Sequence, residues 1–328
     1  MQINYRIVFG SFIGVIVLLY LVSIYLDTEP ATFDIKEKVV AQAQQDGVQP
    51  VVGYTTTTAL IEVADTLLHK RGGYMANDVM PPSVFMDNMP AWEFGALEMI
   101  RDMALAMRKD FSRSQSQSIE DPNLKLAQPQ FNIDHRSWAI PSAESEYQKA
   151  IEGLIKYRTS LVDPSNQGAQ FYTRADNLRS WLKEVEKRLG SISQRLSASV
   201  GQARLNTDLA GDSAAKASTA MMKDQIVKTN WWKIDDVLYE SRGAAWVLLH
   251  LLKAIEIDFA DVLEKKNALI SVQQIIRELE ATQQTVWSPV ILNGSGFGFV
   301  ANHSLVMANY ISRANAALID LTELLAQG

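Results

Sequence analysis

An all-α chain, with an N-terminal transmembrane helix followed by a periplasmic multi-helix bundle, is what the sequence predicts, on three observations. Twenty residues from Ile7 to Leu26 pass without a charge. At about 1.5 Å rise per residue, such a run matches the roughly 30 Å hydrocarbon core of a bilayer. Downstream, apolar residues recur at helical spacing in one segment after another, and no stretch alternates with period two for long enough to make a trustworthy strand. A length of 328 residues, 47% hydrophobic and 21% charged, is that of a folded body able to bury a sizeable core.

The apolar run ends in bulky Tyr25 and Leu26 and then Asp27-Thr28-Glu29-Pro30. A signal peptide has a shorter apolar centre and a small-residue cleavage site, so residues 7–26 read as an uncleaved anchor in a lipid bilayer. Arg6 and the amino terminus mark the cytoplasmic side, although Lys36 and Lys38 follow on the other. The expected order is a cytoplasmic tail (1–6), the anchor (7–26), a stalk or first contact with the core (27–54), and a helical periplasmic domain (55–328). That order describes a single-pass membrane protein. Gly10 and Gly14 form a small-xxx-small pair that would allow two spans to pair as a homodimer, although glycine is common in membrane helices in any case. The next most apolar stretch, Ala244 to Leu252, is nine residues long and runs into Lys253 and Glu256, so it belongs to a buried helix.

A short helix around residues 33–45 ends at Asp46-Gly47. From Thr55, Leu60, Ile61, Ala64, Leu67 and Leu68 share one face until Gly72-Gly73 stops the helix. After the segment Gly72 to Gly95, helical spacing resumes from Ala91 to about Ser112. Residues 113–141 carry three prolines and no period, and read as a long loop with at most one helical turn. From Ser142, Tyr147, Ile151, Leu154, Ile155 and Leu161 fit one helix. Leu178, Leu182, Val185, Leu189, Ile192 and Leu196 then form a short heptad seam on the next. The six-residue turn "DPSNQG" between them predicts an antiparallel hairpin with facing apolar stripes, and Glu184 with Arg188 an i,i+4 pair. Residues 201–230, Ala/Ser-rich and weakly patterned, mark the candidate sub-boundary. Helices over about 231–265, 268–287 and 301–326 complete the body.

Several chemistries find little support. A net charge of −6 without a basic stripe argues against nucleic-acid binding. Zero cysteines removes thiolate catalysis, disulfides and Cys-ligated metals. Met99, Met103 and Met107 stack three thioethers at i, i+4, i+8, a geometry for Cu(I), but that spacing is also what a core-facing helix produces. No H-E-x-x-H and no E-x-x-H is present, and His250 on its apolar helix reads as a hydrogen-bonded core group. Two S-x-x-K matches, at Ser180 and Ser213, lack the accompanying S-D-N and K-T-G. "NGSGFGF" (293–299) follows a helix and has no lysine after its glycines, so a tight turn inserting Phe297 and Phe299 into the core outweighs a phosphate loop. The expectation is no cofactor, no metal and no catalytic set.

What stands out is "GGYMANDVMPPSVFMDNMPAWEFG", residues 72–95, with four methionines and three prolines in 24 positions. The prolines stiffen it and lower its ordering cost, and burial of Val79, Phe85, Met86, Met89 and Trp92 would make it a packed plug. An exposed aromatic and methionine patch would instead make it a docking surface. The candidate ligand or partner-docking residues are Tyr74, Asp78, Asp87, Asn88, Trp92, Glu93, Arg101 and Asp102. For the acids Asp78, Asp87, Glu93, Glu98 and Asp102, capping, loop hydrogen bonds and pairing to Arg71 or Arg101 outweigh metal binding or acid/base chemistry. Gly72-Gly73-Tyr74, Pro81-Pro82, Asp87-Asn88-Met89-Pro90, Trp92-Glu93-Phe94-Gly95 and Arg101-Asp102, downstream of one anchor, resemble a family of proteobacterial membrane proteins catalogued as a domain of unknown function. The resemblance implies a Gram-negative inner membrane and assigns no site residue. The leading expectation is a non-enzymatic scaffold or accessory protein with envelope protein partners. A ligand-binding or sensory module with a pocket near 72–95 comes second, and an envelope hydrolase third.

Overall fold

The computed structural model describes residues 5–114, 119–165, 168–205, 224–288, 290–295 and 298–327. Among them the fold is all-α apart from one short ribbon. The helices are α1 (Tyr5–Leu26), α2 (Ile35–Asp46), α3 (Tyr54–His69), α4 (Asn88–Ala106), α5 (Pro122–Phe131), α6 (Ala143–Val162), α7 (Ala175–Ser197), α8 (Ile234–Asp258), α9 (Ala260–Lys265), α10 (Leu269–Thr282) and α11 (His303–Ala326). α1 projects from the body. Its stretch Val8–Leu26, 19 residues, is long and apolar enough to cross a membrane, and none of it is buried.

The residues after α1 are not a free stalk but a first layer of the core. Asn88 Nδ2 donates to Asp27 at 3.0 Å, and the Arg242 guanidinium grips both carboxylate oxygens of Glu29. Trp246 Nε1 donates to the Ala31 carbonyl, and the Phe33 ring stacks on His250 at 3.9 Å. Asp34 then caps α2 by accepting from the amides of Lys36 and Glu37, and Gly47 closes it in the left-handed conformation. Ile35, Val39 and Ala43 are buried beneath.

His250 is the pivot of this junction. Its Nδ1 lies 2.7 Å from the Trp246 carbonyl and its Nε2 accepts from the Phe33 amide at 3.1 Å, so the ring must be neutral, with its proton on Nδ1. Burial holds its pKa down at about 4, against an ordinary 6.5. A histidine depressed on folding contributes fully above the unfolded value, and the contribution is lost as pH falls. The window is therefore from about 6.5 down to about 4, and the loss amounts to about 3 kcal/mol. Urea unfolding at pH 7 and pH 4.5 should show this component in the native chain and lose it in His250→Gln. Equal pH dependence in the two would remove the assignment.

α3 begins at Gly53, whose side is too close to Phe171 to admit a Cβ. Its buried threonines are capped from another helix: Asp258, at the end of α8, accepts from both the amide and the hydroxyl of Thr56 at 2.7 Å. The most extensive helix contact in the core is that between α4 and α8. A Cβ on Gly95 would lie 1.9 Å from the Glu240 carbonyl oxygen, and one on Gly243 2.0 Å from that of Trp92. Two glycines facing one another let the backbones touch.

Several sequence expectations need correction. Residues 122–131 form α5 rather than loop: Asp121 caps it, Pro122 fits its first turn, and Leu124, Ala127 and Phe131 are buried. Pro129 inside the helix masked the pattern. α6 and α7 do not make a facing hairpin. α6 packs on α5 and α3, whereas the α7 seam packs on α11. Their connection extends to residue 174 and is long enough to carry α7 across the body, seating Phe171 between Phe111 and Phe259 on the way. Glu184 pairs with Lys187, which frees Arg188 for α4. Gln202–Leu205 and Asp224–Val227 pair as an antiparallel ribbon. The centre of the candidate boundary, 206–223, lies outside the described residues, while α7 and α8 on either side share one core. The helix expected over 231–265 breaks at Phe259 into α8 and α9. Phe299 is exposed rather than inserted, and Phe297 lies outside the described residues.

Candidate functional site

The segment 72–95 divides into a buried half and an exposed half. Gly72 and Gly73 take positive φ to turn the chain off α3, and Met75, Met89 and Trp92 are sealed in the core. Val79, Met80, Val84 and Phe85 face outward, so only part of the expected plug exists. A short 3-10 turn, Ser83–Phe85, holds the exposed part in shape.

Glu93 ties the two halves together. Its carboxylate, wholly buried, accepts from the Lys70 ammonium, from the Met75 amide at 2.9 and 3.1 Å, and from the Ala76 amide at 2.7 Å. Lys70 also donates to the Gly73 carbonyl. Burial pushes the Glu93 carboxyl up, opposed by Lys70 and the two amides. Tyr74 continues the clamp by donating to the His135 carbonyl at 3.1 Å, with its ring edge-on to Tyr147.

α4 distributes the remaining candidates to its neighbours. Trp92 packs its ring against Trp246 at 5.4 Å across the α4–α8 crossing. Arg101 donates to the Phe131 and Ile133 carbonyls, satisfying the end of α5, and to Glu98. Asp102, one turn on from Glu98, accepts from Arg188 of α7 at 2.6 and 3.0 Å, and Arg188 also reaches Glu98. Asn88 serves the junction described above. Asp78 and Asp87 are exposed.

Two adjoining clefts result. One, of about 430 Å³, lies between α4, α7 and α8, with Met99 and Ile192 in its wall and the pairs Arg188–Asp102 and Arg195–Glu240 across it. The other, of about 520 Å³, lies under the 75–94 segment and holds Asp78, Asp87, His135, Arg136 and Lys233. Phe94 and Glu240 border both. Of the candidates, Asp78 and Asp87 reach one cleft and Asp102 the other, while Tyr74, Trp92, Glu93, Arg101 and Asn88 are spent on internal contacts. Lys70, Arg195 and Glu240 escaped sequence reasoning because the partner of each is far along the chain, and Arg188, expected to pair with Glu184, pairs with Asp102 instead.

Glu93 has no solvent-facing oxygen to offer as a base or nucleophile, and Asp102 is engaged bidentately. The arrangement fastens loops to helices and leaves two polar clefts at the surface. The class so defined is an all-helical body carried behind one long apolar N-terminal helix. The family described as "Uncharacterized protein conserved in bacteria (DUF2333)" matches residues 2–328, and the chain belongs to it. No curated protein and no solved structure matches it.

Proposed function

We propose that this protein is a scaffold or accessory subunit of a bacterial envelope assembly, anchored in the inner membrane by α1 with its body on the periplasmic side. The observation that carries this is the rigid junction. Asp27, Glu29, Ala31 and Phe33 are each held by α4 or α8, so the body follows α1 with no free linker between them. A tethered binding module gains reach from a flexible linker, whereas a scaffold needs a fixed attitude to the membrane. Gly10 and Gly14 lie open on α1 and would serve a pairing of two copies within the same assembly. Envelope protein partners would bind the exposed body, and the charged lip of the 430 Å³ cleft supplies a polar docking surface.

The test is photo-crosslinking from Lys187, exposed at that lip, in native membranes, followed by identification of the adducts. A discrete partner is the expected result. No adduct at this or neighbouring lip positions would count against the reading, and a carboxyl-terminal alkaline phosphatase fusion that stays inactive would overturn the orientation. The second reading, a ligand-binding or sensory module, is favoured by the 520 Å³ cleft beside residues 75–94. A small-molecule thermal shift abolished by Arg136→Glu would select it.

A further inference from the structure

The exposed apolar half of 72–95 is not isolated. The Gly72 backbone abuts Leu26 at the end of α1, the Arg71 guanidinium lies 5.4 Å from the Tyr25 ring centroid, and Asn88 holds Asp27. The excursion 73–87 therefore leaves and returns at the point where α1 meets the body, and it carries Met80 (71% exposed) and Phe85 (81%) outward. Beside it lies the start of α8. Lys233 and Asp236 border the same cleft as Val84 and Asp87, and just before them Trp231 and Trp232 are 68% and 73% exposed. On another side, Thr285 and Val286 wall a cleft with Asp27–Thr32, and the next residue, Trp287, is 90% exposed.

Three separate segments thus hold large apolar or indole side chains in water at the base of one apolar helix. Burying them in the body would have been the default for side chains of this size. Indoles are favoured at the headgroup level of a bilayer, where an apolar ring and a polar N–H are both satisfied. Resting on the proposed membrane anchor, we infer that Met80, Phe85, Trp231, Trp232 and Trp287 form a collar that inserts into the bilayer interface around the end of α1 and seats the body on the lipid surface. Continuity with α1 selects lipid over a protein occupant, because a membrane-spanning α1 necessarily brings its own base to the interface. At the same base Asp27, Asp87 and Asp235 are interspersed with Lys233 and Arg71, so the charge there is mixed and the contact is apolar rather than an attraction to anionic headgroups. Pro81 and Pro82 stiffen the inserted loop.

α1 contains no tryptophan, and three of the chain's seven lie in the collar, so indole emission reports on the body alone. The full chain is reconstituted in phosphatidylcholine vesicles, plain or brominated high on the acyl chains, and flotation is scored alongside emission. The expected result is flotation, a lower emission in brominated lipid that added salt does not relieve, and loss of most of that quenching in the W231F/W232F/W287F variant. Phe85→Trp should enlarge the quenched fraction. A chain that floats with equal emission in both lipids, or whose quenching survives the triple substitution, overturns the collar while leaving the anchor intact. A chain that fails to float overturns the anchor reading and the collar with it.

Discussion

Replacing Glu93 by glutamine is expected to destabilise the body by about 3–5 kcal/mol, the range for removing one partner of a buried ion pair. The size follows from what is left behind. The Lys70 and Glu93 side chains are 2% and 0% exposed, so the ammonium cannot recover its water, and among the described residues the acceptor left to it is the Gly73 carbonyl. Glutamine can still accept from the Met75 and Ala76 amides but cannot neutralise the cation. Urea unfolding of the detergent-solubilised chain, followed by far-UV circular dichroism, measures the change. Adding Lys70→Met should restore a large part of the loss, because the stranded charge goes with it. A Glu93→Gln midpoint equal to that of the native chain would show that the clamp contributes nothing.

Gly95→Ala should cost about 3 kcal/mol, at the upper end of what an added methyl does in a close-packed core. The new Cβ would meet the Glu240 carbonyl oxygen at 1.9 Å and its carbon at 2.7 Å. Both are backbone atoms of α8, which cannot swing aside as a side-chain tip would, so the helices must separate and loosen the Trp92–Trp246 contact. Gly190→Ala is the matched comparison. It sits inside α7, and its nearest neighbour would be the end of Asn315 at 3.8 Å. There the helix-propensity gain of up to about 1 kcal/mol should appear unopposed. The same substitution with opposite signs at two positions would locate the close crossing at Gly95. Equal effects at both would place it elsewhere.

Parts of this clamp were legible from residue types alone. Gly72-Gly73 stops α3 as expected, and His250 is the hydrogen-bonded core group that its apolar helix implied. The segment 72–95 was visible as unusual, but its division into Met89 and Trp92 inside and Val79 and Phe85 outside was not. In a loop, no period relates neighbouring side chains to a common face. The acids were expected to cap or to pair with Arg71 or Arg101, and Glu98 does pair with Arg101. Glu93 instead took Lys70, and Asp102 took Arg188, 86 residues away.

By itself the sequence determined the all-α class, the long apolar helix at its start, and the positions of α3, α6, α7 and α11. Each of these is a local matter of period, cap and breaker, which neighbouring residues decide among themselves. Only the tertiary structure decided that α7 packs on α11, that α4 and α8 touch through two glycines, and that residues 27–34 bind the apolar helix to the body. Those outcomes depend on which faces and charges meet after long loops close. A single helical period carries no information about its partner.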